Sequence, residues 1–346
     1  MNVASERGRA ARLVMMLSAM AALGAAQPPE QRRERVEFDP ASGQWSTVEP
    51  PKPGTPEGDF QLARQAIAEG KFGQARRILD RWLKQYGEQH ELHPHVLLRR
   101  AEAVIGQKDY YQAHQYLQEF LNQYGGTDLA EEAVQREFTI AENFLAGAKR
   151  RFLGFIPLPA EDVGITILDD LASNYPESRI AELAIKTKAD YYYNKNEYDL
   201  AEDEFVRLQQ QFPRSTYLPY AMRRSADAAD ASFAGIPYDD APLIEAQERY
   251  TLYLAQFPAY AQQQGVSLIL TEISEKRAAK ELSIGEYYER VRQLRAASLY
   301  YRSTKDNWPN TIAATQAEAH LRRLGVLETP EPQTQPTTEP STTNAN

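Results

Sequence analysis

The chain has 346 residues, 42% of them hydrophobic, and its 48 acidic residues outweigh 39 basic ones for a formal net charge of −9. That balance excludes a generic nucleic-acid binder, which needs a basic stripe to displace counterions. The absence of cysteine excludes disulfides, so core packing must hold the fold.

In chain order, Arg7, Arg9 and Arg12 precede an uncharged run over residues 13–26 that closes on Gly24, Ala25 and Ala26. A basic region, a short apolar stretch and small residues at a cleavage point read as an export signal over residues 1–26. The run is shorter than the roughly 20 residues of a membrane span. Residues 27–56 are Pro-rich with alternating charge, an expected extended linker in which Phe38 and Trp45 are the exceptions. The expected folded region covers residues 57–327. Residues 328–346, composed mainly of Pro, Thr, Glu and Gln, read as a disordered tail.

Within the folded region one frame recurs six times: a small residue, mostly large apolar residues four and seven positions on (Thr304 is the exception), an aromatic at eleven, then Gly or Pro. The copies begin at Ala75, Ala113, Gly164, Ala201, Ala246 and Ala297. Offsets of 0, 4, 7 and 11 lie on one helix face, and the Gly or Pro ends the helix. A helix with one apolar face cannot bury it alone, so six copies predict stacked hairpins. Stepping back twelve residues gives Ala63, Ala101, Phe152, Ala189, Ala234 and Gly285 as close-approach positions on the partner helices. These are the small-residue, aromatic and Pro positions of the tetratricopeptide repeat. The predicted fold is an all-α, right-handed solenoid of five to six hairpins. Copy three departs from the pattern, because Gly154, Pro157 and Pro159 cannot continue a helix.

The punctuation predicts caps at Ser178, Ser215 and Thr311, each after a Pro turn, a capping box of Asp128 with Glu131, and a cap at Asp240. His90, His93 and His95 have a spacing that imidazole metal sites use, but Pro94 interrupts them and no cysteine completes the set, so they read as a solvated loop. His114 and His320 read as surface residues, and Asp169–Asp170 and Asp239–Asp240 as capping or solvated pairs. No nucleophile triad, phosphate loop or HExxH pattern is present; the chain reads as a non-enzyme with no cofactor. Two features suit binding. Lys149, Arg150 and Arg151 precede a loop carrying Phe155 and Leu158, which is expected to pack on its own repeat, with a membrane or partner contact as the alternative. Lys276, Arg277 and Lys280, followed by Arg290, Arg292 and Arg295, form a basic set near the end of the array.

The stretch from Lys276 and Arg277 through Ser283-Ile284-Gly285-Glu286-Tyr287-Tyr288 resembles the final repeat of the BamD family. Tyr300-Tyr301, Trp308-Pro309-Asn310-Thr311 and Ala319-His320-Leu321-Arg322-Arg323-Leu324 extend the match. Upstream, Tyr175-Pro176-Glu177-Ser178 and Gln211-Phe212-Pro213-Arg214-Ser215 fit the family's hairpins, giving a likeness over residues 164–324 and a looser one over 59–144. The resemblance implies a scaffold at the inner face of the outer membrane, in the periplasm, that assists assembly of β-barrel proteins. Implied partners are the periplasmic domains of the barrel insertase and unfolded outer-membrane protein segments held by the N-terminal hairpins, with no nucleic acid. The family's partner-facing cation falls on Lys276, with Arg277 and Lys280 beside it. Family members are lipidated at a cysteine that this sequence lacks, so the expectation is peripheral association through protein contacts, without lipidation. The competing expectation, a repeat protein coordinating envelope constriction or peptidoglycan synthesis, usually requires a coiled coil that Pro-rich residues 27–56 cannot form.

Overall fold

The computed structural model describes residues 36–39, 44–47, 51–152 and 155–326. The expected export signal and C-terminal tail lie outside the described residues. Two compact units divide at residues 51 and 52. The first holds a two-stranded antiparallel pairing, β1 (Val36–Asp39) with β2 (Gln44–Thr47). Phe38 stands opposite Trp45 in that register, so the two aromatics that stood out in the linker sit at one rung of a ladder. Strand pairing there accords with the β-propensity of Val, Phe, Trp and Thr. Among the described residues, no helix is long and apolar enough to cross a membrane.

The second unit consists of helical hairpins. In order they are α1 (Pro56–Ala68) with α2 (Phe72–Tyr86), α3 (His93–Gly106) with α4 (Tyr110–Tyr124), and α5 (Ala130–Leu145) with α6 (Glu161–Asn174). These are followed by α7 (Arg179–Asn194) with α8 (Tyr198–Gln211) and α9 (Leu218–Ser232) with α10 (Ala241–Gln256). A short α11 (Pro258–Gln263) leads to the long α12 (Val266–Arg290), which pairs with α13 (Leu294–Asn307), and α14 (Ile312–Arg323) closes the array. Every copy of the sequence frame is the second helix of its hairpin. Its first three positions are buried in all six copies, from Ala75, Leu79 and Trp82 to Ala297, Tyr301 and Thr304. The aromatic at the fourth position is half-buried in each, covering the end of the stripe. The chain is a tetratricopeptide-type helical array.

The frame also explains how the helices stop. Tyr175, Phe212, Phe257 and Trp308, each before a proline, leave the helical region at φ near −130° and positive ψ. The proline ring clashes with a helical residue before it, so one substituent sets the same break four times. Gly70, Lys108, Asn196 and Arg292, five residues before the leading small residue, all take positive φ between 60° and 71°. This left-handed residue reverses the chain between the two helices of a hairpin.

The long spacings have separate causes. Between α5 and α6 the chain forms β3 (Arg150–Phe152) paired antiparallel with β4 (Ile156–Leu158). The expected loop is therefore a β-hairpin. Between copies five and six the extra length is α11 and the 25-residue α12. Gly285 packs as expected: a Cβ there would lie 2.6 Å from the Tyr301 ring. Ala234 does not, because α9 has ended at Ser232 before Gly235 and Pro237; Ala226 and Ala229 face the core instead. Ser178 and Thr311 cap α7 and α14, accepting from the backbone N–H of Ala181 and Ala314. Ser215 accepts from the N–H of Tyr217 but lies before the N-cap of α9, Tyr217, which has no side-chain cap bond, so it organises the turn without capping the helix. The other expected caps also fail. Leu129 occupies the N-cap of α5 with no side-chain bond, so there is no capping box. Asp239, rather than Asp240, accepts from the N–H of Ala241, which leaves Asp240 facing Arg277 at 3.7 Å.

Candidate functional site

The polar faces of α4 and α6 form a groove. On α4 the apolar stripe Ala113, Leu117 and Phe120 turns to the core, which leaves Tyr111, His114, Gln115, Gln118 and Asn122, at helical spacing, on the other side. Asp162, Val163 and Thr166 of α6 face them, and Arg150 of β3, 4.0 Å from Asp162, completes the lining. The cavity between them is about 840 Å³. A second cavity of about 240 Å³ adjoins it through Gln118 and Asn122, and Glu137 of α5 lies in its lining. Carboxamides carry both donors and acceptors, so rows of Gln and Asn suit the alternating N–H and C=O groups of an extended polypeptide.

Glu137 is fully buried, and its Oε2 lies 2.7 Å from His114 Nδ1. Burial pushes its carboxyl up from the ordinary carboxylate range, opposed by the contact with His114. His114 is therefore a partly buried cross-helix partner and not the surface residue expected. His320 likewise lies 2.8 Å from Glu289 and against the Tyr301 ring. The expectation of a solvated histidine loop also fails. His93 is buried at the start of α3 with Nδ1 2.7 Å from the Tyr124 hydroxyl, and burial lowers its pKa. His90 meets the edge of Trp82, and His95 the ring of Phe60, so the three imidazoles diverge to separate aromatic neighbours. Asp169 joins Glu204 around the buried Lys188 at 2.7 and 2.8 Å and so is part of an ion network between helices.

The basic residues expected to bind partners have internal engagements. Lys276 Nζ lies 2.7 Å from Asp230 Oδ1, Arg277 contacts Gln247 and stacks on Trp308, and Lys280 reaches the carbonyls of Ile236 and Tyr238. Together they tie α12 to α9, to α10 and to the segment between them. Lys276 remains the more accessible of the pair, with 38% of its side chain exposed against 21% for Arg277. Arg290, Arg292 and Arg295, by contrast, are exposed beside Val291 and Leu294 at the α12–α13 turn. In the β3–β4 hairpin, Lys149 and Arg151 are exposed, Leu158 is half-buried and Arg150 approaches Asp162 at 4.0 Å. Phe155 is 75% exposed at its tip, next to exposed Ile156. Phe155 and Ile156 therefore do not pack on their own repeat, and the three-rung hairpin leaves them facing solvent.

Sequence reasoning missed the groove lining. Its signal was present: Glu137 sits where the buried run Ala133, Val134, Ile140, Ala141 and Phe144 calls for an apolar residue, and Gln and Asn crowd the exposed side of α4.

Stacked hairpins closed by a common buried stripe define a tetratricopeptide-type helical array with a polar groove. Residues 162–326, from α6 to α14, match the family model YfiO, described as outer membrane lipoprotein. The resemblance to the BamD family is thereby shown over that part of the chain. No curated protein gives a significant match. Solved structures that match include residues 41 to the end of MamA from Desulfovibrio magneticus RS-1, at 11% identity over 58% of this chain and 93% of that one, with a TM-score of 0.33. The C-terminal part of a tetratricopeptide-repeat protein from Cytophaga hutchinsonii matches at 14% identity over 75% and 98%, TM-score 0.34. A tetratricopeptide repeat protein from Parabacteroides merdae matches at 12% identity over 72% and 92%, TM-score 0.35.

Proposed function

We propose that this protein is a non-enzymatic periplasmic scaffold in β-barrel outer-membrane protein assembly. Its C-terminal hairpins dock on the periplasmic domains of the barrel insertase, and its α4–α6 groove holds extended segments of unfolded substrate. It associates with the inner face of the outer membrane through protein contacts. The observation that carries this reading is the match of α6–α14 to an outer membrane lipoprotein family. The amide-lined groove supports the substrate role, and the exposed Phe155 tip beside Lys149 and Arg151 offers a further membrane or partner contact.

Lys276 and Arg277 carry the docking part of the proposal. Lys276→Glu with Arg277→Glu is expected to weaken binding to an insertase periplasmic domain by about tenfold or more, the scale for a lost interfacial charge pair. Both residues also make internal ties, Lys276 to Asp230 of α9 and Arg277 to Gln247 of α10. The exchanged pair Lys276→Asp with Asp230→Lys keeps the first of these and should still lose affinity. Unchanged affinity of both variants, measured by calorimetry with helicity intact, would remove these residues from the interface.

A further inference from the structure

The smaller cavity beside the groove contains a defect that a ligand would repair. Its lining includes Gln118, Leu121, Asn122, Glu137, Asp170 and Tyr175, and its volume of about 240 Å³ far exceeds the ~10–15 Å³ that one water requires. Glu137 is 0% exposed; its Oε2 is held by His114, while its Oε1 makes no direct hydrogen bond, with the Gln118 side chain near enough to favour the ionised carboxyl but not to satisfy that oxygen. A buried polar atom without a partner costs about 1–3 kcal/mol, and more when charged. Asp170 stands exposed at the rim, and its like charge adds to the burial that already disfavours the ionised Glu137. A positive charge entering the cavity would relieve both effects.

The rest of the lining selects the kind of cation. The amides of Gln118 and Asn122 can accept from the several N–H donors of a guanidinium or ammonium group. Leu121, Ile167 and Leu171 supply an apolar wall for a methylene stem, the arrangement in which long cationic side chains bury their carbons. A metal ion is poorly served, because among the described residues no group of three or more His, Cys, Asp and Glu is placed to hold one. The cavity shares Gln118 and Asn122 with the groove, so a side chain could enter it from a backbone lying along α4 and α6. We propose that this cavity is a side-chain pocket for an Arg or Lys of the extended polypeptide in the groove. The inference rests on reading the groove as a polypeptide site.

The test uses the full chain and labelled extended peptides of alternating polar and apolar residues, identical except for one central position: Arg, Lys, citrulline or norleucine. Fluorescence anisotropy should show the Arg and Lys peptides binding about tenfold tighter than the two neutral ones. That preference should fall below about threefold in Glu137→Gln. Asp170→Asn, at the exposed rim and outside the core, should weaken it in the same direction and keeps the test decisive if the buried substitution impairs folding. Equal binding of Arg and citrulline peptides to the wild-type chain would overturn the pocket while leaving the groove in place. A charge preference that survives both substitutions would overturn the assignment to Glu137 and Asp170. Absence of binding by every peptide would overturn the groove and the pocket together.

Discussion

At the scale of single residues, carboxylates buried between helices set the electrostatic character of the array. Glu202 on α8 has 15% of its side chain exposed and shares the Arg249 guanidinium with Glu245, at 2.8 and 2.6 Å. Burial, with the like charge of Glu245 and against the pull of Arg249, raises the Glu202 pKa to about 7 from a reference value of 4.5. The folded state therefore binds this proton more tightly than the unfolded chain does. The associated stability is fully present below about pH 4.5 and is lost as the pH rises through about 7. Glu202→Gln, neutral at every pH, should gain on the wild type between pH 5 and pH 8 by about 1 kcal/mol, a value discounted for solvent screening. Urea unfolding at the two pH values measures the difference. A gap between variant and wild type that does not change with pH would mean that Glu202 stays ionised beside Arg249.

At the scale of the element, the second helix of each hairpin carries most of the packing. Tyr253 in α10 is 1% exposed, and its hydroxyl donates to Gln264 at 3.1 Å. Tyr253→Ala should cost about 3–5 kcal/mol, as aromatic truncation in a core does. The half-buried Phe257, four residues on, should cost clearly less on the same change. Similar losses at both positions in thermal unfolding would mean that the stripe is not the core. These second helices were legible in the sequence because a binary pattern at 0, 4, 7 and 11, ended by Gly or Pro, has only one reading on a helix. The first helices were less so. Their small residues can be found by counting back only where the intervening turn is short, and the β3–β4 insertion and the segment from Phe233 to Asp240 spoil the count at Phe152 and Ala234. The groove was not legible. Gln118 and Asp170 are far apart in sequence, and the packing of α5 between α4 and α6 brings them to one cavity.

At the scale of the whole helical unit, burial is divided among separate clusters, and α12 belongs to two of them. Its first half sends Val266 and Ile273 into the cluster with Tyr250 and Tyr253. Its second half sends Ala278 and Leu282 into the cluster with Ala297, Tyr301 and Leu321. In an array whose repeats touch only their neighbours, damage to one cluster should open that part locally before the rest. Gly285→Ala is the sharpest probe. The added Cβ would lie 2.6 Å from Cε1 of Tyr301 and 2.8 Å from Cδ1, and the ring cannot move cheaply. It is fully buried, and its hydroxyl donates to Glu289 Oε2 at 2.7 Å, the carboxylate that also holds His320 and Arg323. Overpacking of this kind costs about 1–3 kcal/mol. Hydrogen–deuterium exchange of Gly285→Ala should therefore quicken in the second half of α12, in α13 and in α14, with α1 to α8 protected as in the wild type. The first half of α12 should show an intermediate change, because its other anchor is intact. Uniformly faster exchange over all the helices would show instead that the array opens as one cooperative unit, with α12 transmitting the loss and not containing it.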